Sequence, residues 1–99
     1  MENAVGPVLR MCDEVELVIN AIEDDNPDTD VEVIDRGAYV RVQAAGRLRV
    51  TEVSLQRHLG PQFHIRSLGS IMSSFAGRIA TRSDEVTWEY KTRTGEVAR

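Results

Sequence analysis

The sequence contains few of the residues on which reactive or cross-linked sites depend. It has one cysteine, Cys12, and two histidines, His58 and His64. A single thiol cannot form an internal disulfide, and a zinc site would need distant carboxylates to complete its ligands. Neither a glycine-rich phosphate loop nor a Ser-His-Asp or paired-carboxylate arrangement can be recognised. The sequence therefore favours a protein with no cofactor, no metal and no catalytic residues.

Long apolar runs are also missing. No stretch approaches the length of about 18 residues that a membrane-spanning helix needs. The first residues lack the basic segment and following apolar segment of a secretory signal. The chain is 41% hydrophobic and 28% charged, which is typical of a small globular domain. We therefore expect one cytoplasmic domain over residues 1–99, with residues 1–4 and 92–99 flexible.

Lysine and arginine are absent between Asp13 and Asp35, a segment that holds ten carboxylates. From Arg36 to Arg99 the chain has eleven basic and five acidic residues. Such an asymmetry orients a protein toward a charged partner, and arginine is the cation best suited to protein interfaces. An arginine-rich, lysine-poor chain is equally typical of a GC-rich genome, so both explanations stay open. No dense basic cluster with interleaved aromatic residues occurs, which argues against nucleic acid.

The acidic stretch from Asp24 to Asp30 partly matches a calcium-binding loop. Its first, third and fifth residues are of the types that an EF-hand uses at these positions. However, Thr29 stands where a glycine is needed, and Asp35 stands where a bidentate glutamate is expected. A solvated acidic loop is the better interpretation, and the acidic run offers no structural benefit at the negative end of a helix.

Hydrophobic periodicity predicts two amphipathic helices and a shorter helical turn. The first helix starts with a variant capping box at Asp13, and its apolar stripe runs to Ile22. The second spans residues 52–59, with Thr51 as its N-cap and Gly60 at its C-terminal end. It carries the apolar residues Val53, Leu55 and Leu59. Ser67 is expected to cap a short turn that extends through residue 72.

Alternating apolar residues predict strands that pair in an antiparallel manner. The segment from Val5 to Leu9 is expected at a sheet edge, because Pro7 lacks a backbone donor. Residues 31–33, 39–42 and 47–50 are expected to form a three-stranded meander. A C-terminal hairpin is expected to pair residues 75–79 with 86–90. The predicted fold class is α/β of the α+β type, a single small domain of strands packed with two to three helices.

The stretch from Ser70 to Tyr90 is the best candidate for a functional surface. Its small residues leave the backbone accessible to another molecule. Gly77 would mark either a bulge or a place where another backbone approaches closely. An ordinary hairpin with a glycine bulge is the alternative interpretation.

Four segments of the sequence carry a resemblance to a known family, namely Asn3–Val8, Asp35–Arg41, Leu59–Phe63 and Ser74–Ile79. Together they resemble the effector, or coupling, proteins of soluble diiron monooxygenases, and in particular the toluene 4-monooxygenase branch. The resemblance covers nearly the whole chain in order and spacing. It implies a cofactor-free α/β regulatory subunit, monomeric when free, that docks on a diiron hydroxylase. There it would tune substrate access, regiospecificity and the coupling of electron transfer to oxygen activation.

The resemblance also implies where the partner interface lies. It assigns the interface to the N-terminal tail and to the segment that ends at Arg78, where the toluene branch tends to have glutamine. The residues concerned are Asn3, Val5, Gly6, Met72, Ser73, Ser74, Phe75, Ala76, Gly77 and Arg78. Two alternatives remain: a stand-alone α/β ligand-sensing or adaptor module, which would need a pocket with convergent polar groups, and a small enzyme that uses His64.

Overall fold

A computed structural model describes residues 1–90 of the 99-residue chain, and the predicted flexible tail at 92–99 lies outside this range. Within residues 1–90, three helices and seven strands form a small α+β domain, as predicted. In chain order they are β1 (Ala4–Arg10), α1 (Val15–Asp25), β2 (Glu32–Asp35), β3 (Tyr39–Ala45), β4 (Arg47–Thr51), α2 (Glu52–Leu59), α3 (Ile65–Ile71), β5 (Met72–Ala76), β6 (Arg78–Thr81) and β7 (Glu85–Glu89). None of these helices is long and apolar enough to cross a membrane.

The strands form two antiparallel sheets, one with the order β2-β3-β1-β5 and the other with the order β4-β7-β6. The predicted meander is therefore wrong in its third strand. β2 pairs with β3, but β4 pairs with β7 in the other sheet. The chain changes sheets at Gly46, where φ is +84°, a conformation that glycine adopts without steric cost.

Strand β1 is central in its sheet, so the prediction of an edge strand is wrong. It pairs with β3 on one side and with β5 on the other. The ladder between β1 and β3 is interrupted at Gly6 and Pro7. The N–H that proline lacks falls in this gap, which explains how a proline fits in a central strand. The strand begins at Ala4, and the Asn3 carbonyl accepts a 2.9 Å hydrogen bond from Gly46 N–H.

The predicted C-terminal hairpin is present as β6 and β7, in which Ile79 lies opposite Trp88. Its first strand is shorter than predicted, because the chain changes sheets at Gly77. Phe75 belongs to β5 in the first sheet and is 44% exposed, whereas Ile79 packs against the core. The two residues therefore do not share one face of a continuous strand.

One hydrophobic core connects both sheets and all three helices. Trp88 is its largest fully buried side chain, and Leu9, Ile22, Leu48, Leu55 and Leu68 are also fully buried. Val53, one of the three apolar residues predicted for α2, is 65% exposed and lies outside this core.

The helix ends follow the sequence signals in part. Thr51 Oγ1 accepts a 3.1 Å hydrogen bond from Ser54 N–H and caps α2 as predicted. Helix α1 has Glu14 at its N-cap position without a side-chain hydrogen bond, so the predicted box at Asp13 does not form. Helix α3 begins at Ile65, and Ser67 lies in its first turn, where Ser67 Oγ accepts a 3.1 Å hydrogen bond from the His64 N–H.

The acidic end of α1 has a structural role that the sequence analysis missed. The Asp25 carboxylate accepts hydrogen bonds from Thr51 N–H at 2.7 Å, Thr51 Oγ1 at 3.1 Å and Ser54 Oγ at 2.7 Å. The buried Asn26 donates from Nδ2 to the Ile22 and Arg49 carbonyls, and its Oδ1 accepts from Arg49 N–H. These bonds connect the end of α1 to β4 and to the start of α2.

We predict that Asn26→Ala lowers the free energy of unfolding by about 2 to 3 kcal/mol, because backbone groups of Ile22 and Arg49 would lose a buried partner. The control is Asn20→Ala, an exposed position on the same helix, which should change it by less than about 0.5 kcal/mol. Denaturant titration measures both. Equal stabilities of the two variants would contradict a structural role for the Asn26 side chain.

Candidate docking surface

The fold brings together the two segments to which the family resemblance assigned a partner interface. Gly6 in β1 lies opposite Ala76 in β5, and Gly77 follows directly. A Cβ atom added to Gly77 would lie 2.6 Å from Val5 Cγ1. The N-terminal segment and the turn at Gly77 therefore meet at one place, where the chain passes from the first sheet into the second.

Two of the ten predicted interface residues lie in the protein interior. Val5 is fully buried, and Gly6 is buried against β3 and β4. A Cβ atom on Gly6 would overlap the Val42 carbonyl oxygen and would lie 3.0 Å from Leu48 Cδ2. Direct contact of Val5 or Gly6 with a partner is therefore contradicted in this conformation. Both residues instead hold the two sheets close together.

Strand β5 carries the exposed part of the predicted interface. Ser73, Ser74 and Phe75 are exposed, and Phe75 is one of the exposed large apolar side chains. Ser73 Oγ donates a 3.2 Å hydrogen bond to the Val8 carbonyl, which ties β5 to β1. Met72 and Ala76, at the two ends of β5, are half-buried. The strand thus presents a short surface of small side chains around one aromatic ring.

The free edge of β5 differs in charge from the other sheet edges. Edge strands usually carry charged residues that prevent unwanted pairing with another chain. The other edge strands carry such residues, namely Glu32 and Asp35 in β2, Arg47 and Arg49 in β4, and Arg78 in β6. Strand β5 has the sequence Met-Ser-Ser-Phe-Ala and no charge. Among these four edge strands, β5 is therefore the one least protected against pairing with another chain.

The remaining predicted residues, Asn3, Gly77 and Arg78, are exposed. Asn3 has a positive φ of 59°. Arg78 lies opposite Glu89 in the hairpin, and Glu89 also forms a 3.2 Å ion pair with Arg47. Gly77 has φ +94°, and a Cβ there would lie 3.0 Å from the Glu89 carbonyl oxygen. Of the two interpretations of Gly77, the close approach of another backbone is confirmed.

One long-range contact that supports β5 has no signature in the sequence. An Arg10 guanidinium nitrogen donates a 2.6 Å hydrogen bond to the Ser70 carbonyl in the last turn of α3. Helix α3 has no basic residue of its own in that turn, and it leads into β5 at Met72 without a linker. Arg10 therefore fixes the start of the exposed strand. No local pattern signals this contact, because 60 residues separate its partners.

The two histidines each contact a carboxylate. His58 Nε2 lies 2.6 Å from Asp24 Oδ2, and His64 Nδ1 lies 3.4 Å from Glu52 Oε2. Across residues 1–90, no three His, Cys, Asp or Glu side chains are grouped so that they could hold a metal ion. Cys12 is half-buried against the core near the start of α1.

The sequence profile of the MmoB/DmpM family matches residues 3–89. The chain belongs to the MmoB/DmpM family. One relative is the effector subunit of the alkene monooxygenase system of Xanthobacter autotrophicus (strain ATCC BAA-1158 / Py2). It is 42% identical over 91 residues, which cover 92% of this chain and 90% of the relative. The predicted family, and the predicted regulatory rather than catalytic class, are confirmed.

Solved structures show the same fold. A chain of a phenol hydroxylase–regulatory protein complex superposes with a TM-score of 0.76 at 24% identity, covering 89% of this chain and 99% of that chain. The regulatory protein B of soluble methane monooxygenase superposes with a TM-score of 0.73 at 26% identity, covering 99% of this chain and 72% of that protein. The first likeness, at its low identity, shows the fold alone.

We predict that Gly77→Ala destabilises the protein by about 2 kcal/mol more than Gly46→Ala does, because only the methyl group at residue 77 meets other atoms. Both glycines connect the two sheets with a positive φ, so Gly46→Ala measures the backbone strain of about 1 kcal/mol alone. Thermal or denaturant unfolding compares them. Equal losses would mean that Val5 and β7 move away from residue 77 without cost.

Proposed function

We propose that this chain is the effector subunit of a multicomponent monooxygenase and that it docks on the diiron hydroxylase component. The observation that carries this proposal is the 42% identity, over nearly the whole of both chains, to a protein named as such an effector subunit. The same relative supports an alkene as the substrate class. The cytoplasm is the proposed location, because the fold is shared with the regulatory protein of a soluble monooxygenase.

The proposed docking surface consists of Asn3, the exposed strand residues Ser73 to Phe75, and the turn residues Gly77 and Arg78. Small side chains on an uncharged edge let another backbone or helix approach closely, and the exposed Phe75 ring supplies an apolar anchor of the kind that interfaces favour. Met72 and Ala76, the half-buried ends of β5, connect this surface to the protein interior. Val5 and Gly6 are left out, because they are buried.

In this proposal the effector acts by covering and shifting parts of the hydroxylase, and not through catalytic groups of its own. A docked subunit changes the environment of a neighbouring reactive centre by excluding water and by shifting the elements that it touches. On this basis the docked chain tunes substrate access, regiospecificity and the coupling of electron transfer to oxygen activation. The direct test is to mix the chain with its purified hydroxylase and measure co-elution, turnover, and product formed per reductant consumed. A chain that neither binds nor changes turnover would instead be a stand-alone adaptor or sensor.

We predict that association with the hydroxylase slows as salt rises, because arginines of the second half should attract hydroxylase carboxylates. Arg47 and Arg49 already pair with Glu89 and Glu85, so other arginines, such as Arg66, would supply most of the attraction. Stopped-flow association rates at ionic strengths of about 0.05 M and 0.5 M measure the effect. Identical rates would show that the charge asymmetry has no role in docking.

We predict that Ser74→Leu lowers coupling and changes the product distribution while the protein stays folded. Ser74 is exposed on β5, so a larger side chain does not enter the core but separates the two surfaces. A displacement of about 1 Å near a reactive centre can cost on the order of a hundredfold in rate. The measurements are the thermal midpoint, the hydroxylase affinity, and product formed per reductant consumed. Ala76→Leu should act in the same direction with some loss of stability, because Ala76 is half-buried opposite Gly6.

The matched control for these variants is Asn20→Leu, which adds an exposed leucine on α1, away from the proposed surface. It should leave affinity and coupling at wild-type values. If Ser74→Leu lowers only the thermal midpoint, and its folded fraction behaves like Asn20→Leu, then β5 is not the docking surface.

A further inference from the structure

A surface groove of ≈ 300 Å³ separates the start of α3 from the turn between β6 and β7. It is lined by Glu52, His64, Ile65, Arg66, Thr81, Arg82 and Ser83. The nearly buried Ile65 provides an apolar wall, and the other lining residues are polar or charged. Ligand pockets usually occupy about 300 to 1,000 Å³, so this groove lies at the lower limit of that range.

The two arginines of the groove have unused hydrogen-bonding capacity. Arg66 is exposed and forms no ion pair or side-chain hydrogen bond within residues 1–90. Arg82 Nε lies 3.8 Å from Glu85 Oε2, which is beyond hydrogen-bonding distance. Glu85 is bound more closely by Arg49, at 2.9 Å and 3.2 Å. A guanidinium group has five N–H donors, so both arginines can bind an added acceptor.

The one carboxylate in the groove is already engaged. Glu52 Oε2 accepts a 3.1 Å hydrogen bond from Ile65 N–H and lies 3.4 Å from His64 Nδ1. Its charge is therefore partly balanced from within the protein, and the guanidinium groups of Arg66 and Arg82 outnumber it. Hydroxyl groups on Thr81 and Ser83 add donors beside them. This combination fits a planar oxyanion.

We propose that this groove binds an aspartate or glutamate side chain of the hydroxylase. This inference rests on the proposed function and names a second contact of the same docking event. A carboxylate accepts paired N–H bonds from guanidinium groups, which fix its orientation as well as its position. Two elements connect the groove with the docking surface: α3 leads from the groove into β5 at Met72, and β6 leads from Gly77 back to the groove at Thr81.

The test compares Arg66→Gln and Arg82→Gln with Arg36→Gln in binding to the wild-type hydroxylase. Arg36 is the matched control: it is exposed, has no side-chain partner within residues 1–90, and follows β2, at the opposite edge of the sheet from β5. Each groove variant should weaken binding about fivefold and their combination more than about tenfold, whereas Arg36→Gln should change it less than about twofold. Arg66→Lys should recover part of the loss, because it restores the charge without the paired donors.

A second measurement asks whether the groove recognises a carboxylate in itself. The isolated protein is titrated with acetate, with chloride at equal ionic strength as the reference, while the backbone amide signals of residues 64–66 and 81–83 are followed. Acetate-specific shifts that the double variant abolishes support the proposed chemistry, and shifts equal to those in chloride overturn it. Unchanged thermal midpoints show that the variants stay folded.

The outcomes separate this inference from the proposed function. If the wild-type chain binds the hydroxylase and both groove variants behave like Arg36→Gln, the groove contact is overturned and the effector role stands. If acetate binds but the variants do not weaken docking, the hydroxylase is excluded as the source of the carboxylate. If the wild-type chain does not bind the hydroxylase at all, the proposed function itself is overturned.

Discussion

The close approach of the two sheets around Val5 is the constraint on which the rest of the structure depends. Strand β1 passes the Val42 carbonyl so closely that no side chain fits at Gly6, and a Cβ atom at Gly77 would lie 2.6 Å from Val5 Cγ1. The chain passes directly from the first sheet into the second at Gly46 and again at Gly77, and both of these crossings lie beside the N-terminal strand. Interiors are close-packed, so a position fixed this tightly transmits its geometry to the strands that leave it. The exposed face of β5 is held in place by this crossing.

A second constraint is polar and lies at the end of α1. Asp25 and Asn26 bind backbone and hydroxyl groups of β4 and α2, so the helices are attached to the second sheet by directed bonds as well as by apolar contact. Asp24 contributes on the surface, 2.6 Å from His58 Nε2 and 3.9 Å from an Arg57 guanidinium nitrogen. Carboxylates at the negative end of a helix are unfavourable by themselves. Here that cost is offset because the carboxylates of Asp24 and Asp25 meet donors from another element.

The sequence predicts most elements of this fold but not how the strands are shared between sheets. A period of two shows which residues point the same way, and Thr51 and Gly60 mark the ends of α2 correctly, because these signals are local. Sheet membership is not local. Nothing in the alternation around Gly46 distinguishes a hairpin turn from a crossing into another sheet, so β4 was assigned to the wrong neighbours. The edge position predicted for β1 from Pro7 is wrong for a similar reason, since a proline is tolerated in a central strand wherever the hydrogen-bond ladder is already interrupted.

For the candidate surface, too, the sequence motifs do not show which of their residues are buried and which are exposed. The family resemblance assigned Val5 and Gly6 to the same interface as Ser73, Ser74 and Phe75. A shared motif does not distinguish residues that the fold requires from residues that contact a partner. The structure separates them by burial: the first two hold the sheets together, and the other three face solvent. An interface of this kind needs both sets, because an exposed strand binds a partner well only when a rigid interior holds its shape before contact. In the proposed docking, Gly6 and Gly77 would therefore act indirectly, because a side chain at either residue would meet neighbouring atoms and move β5 out of position.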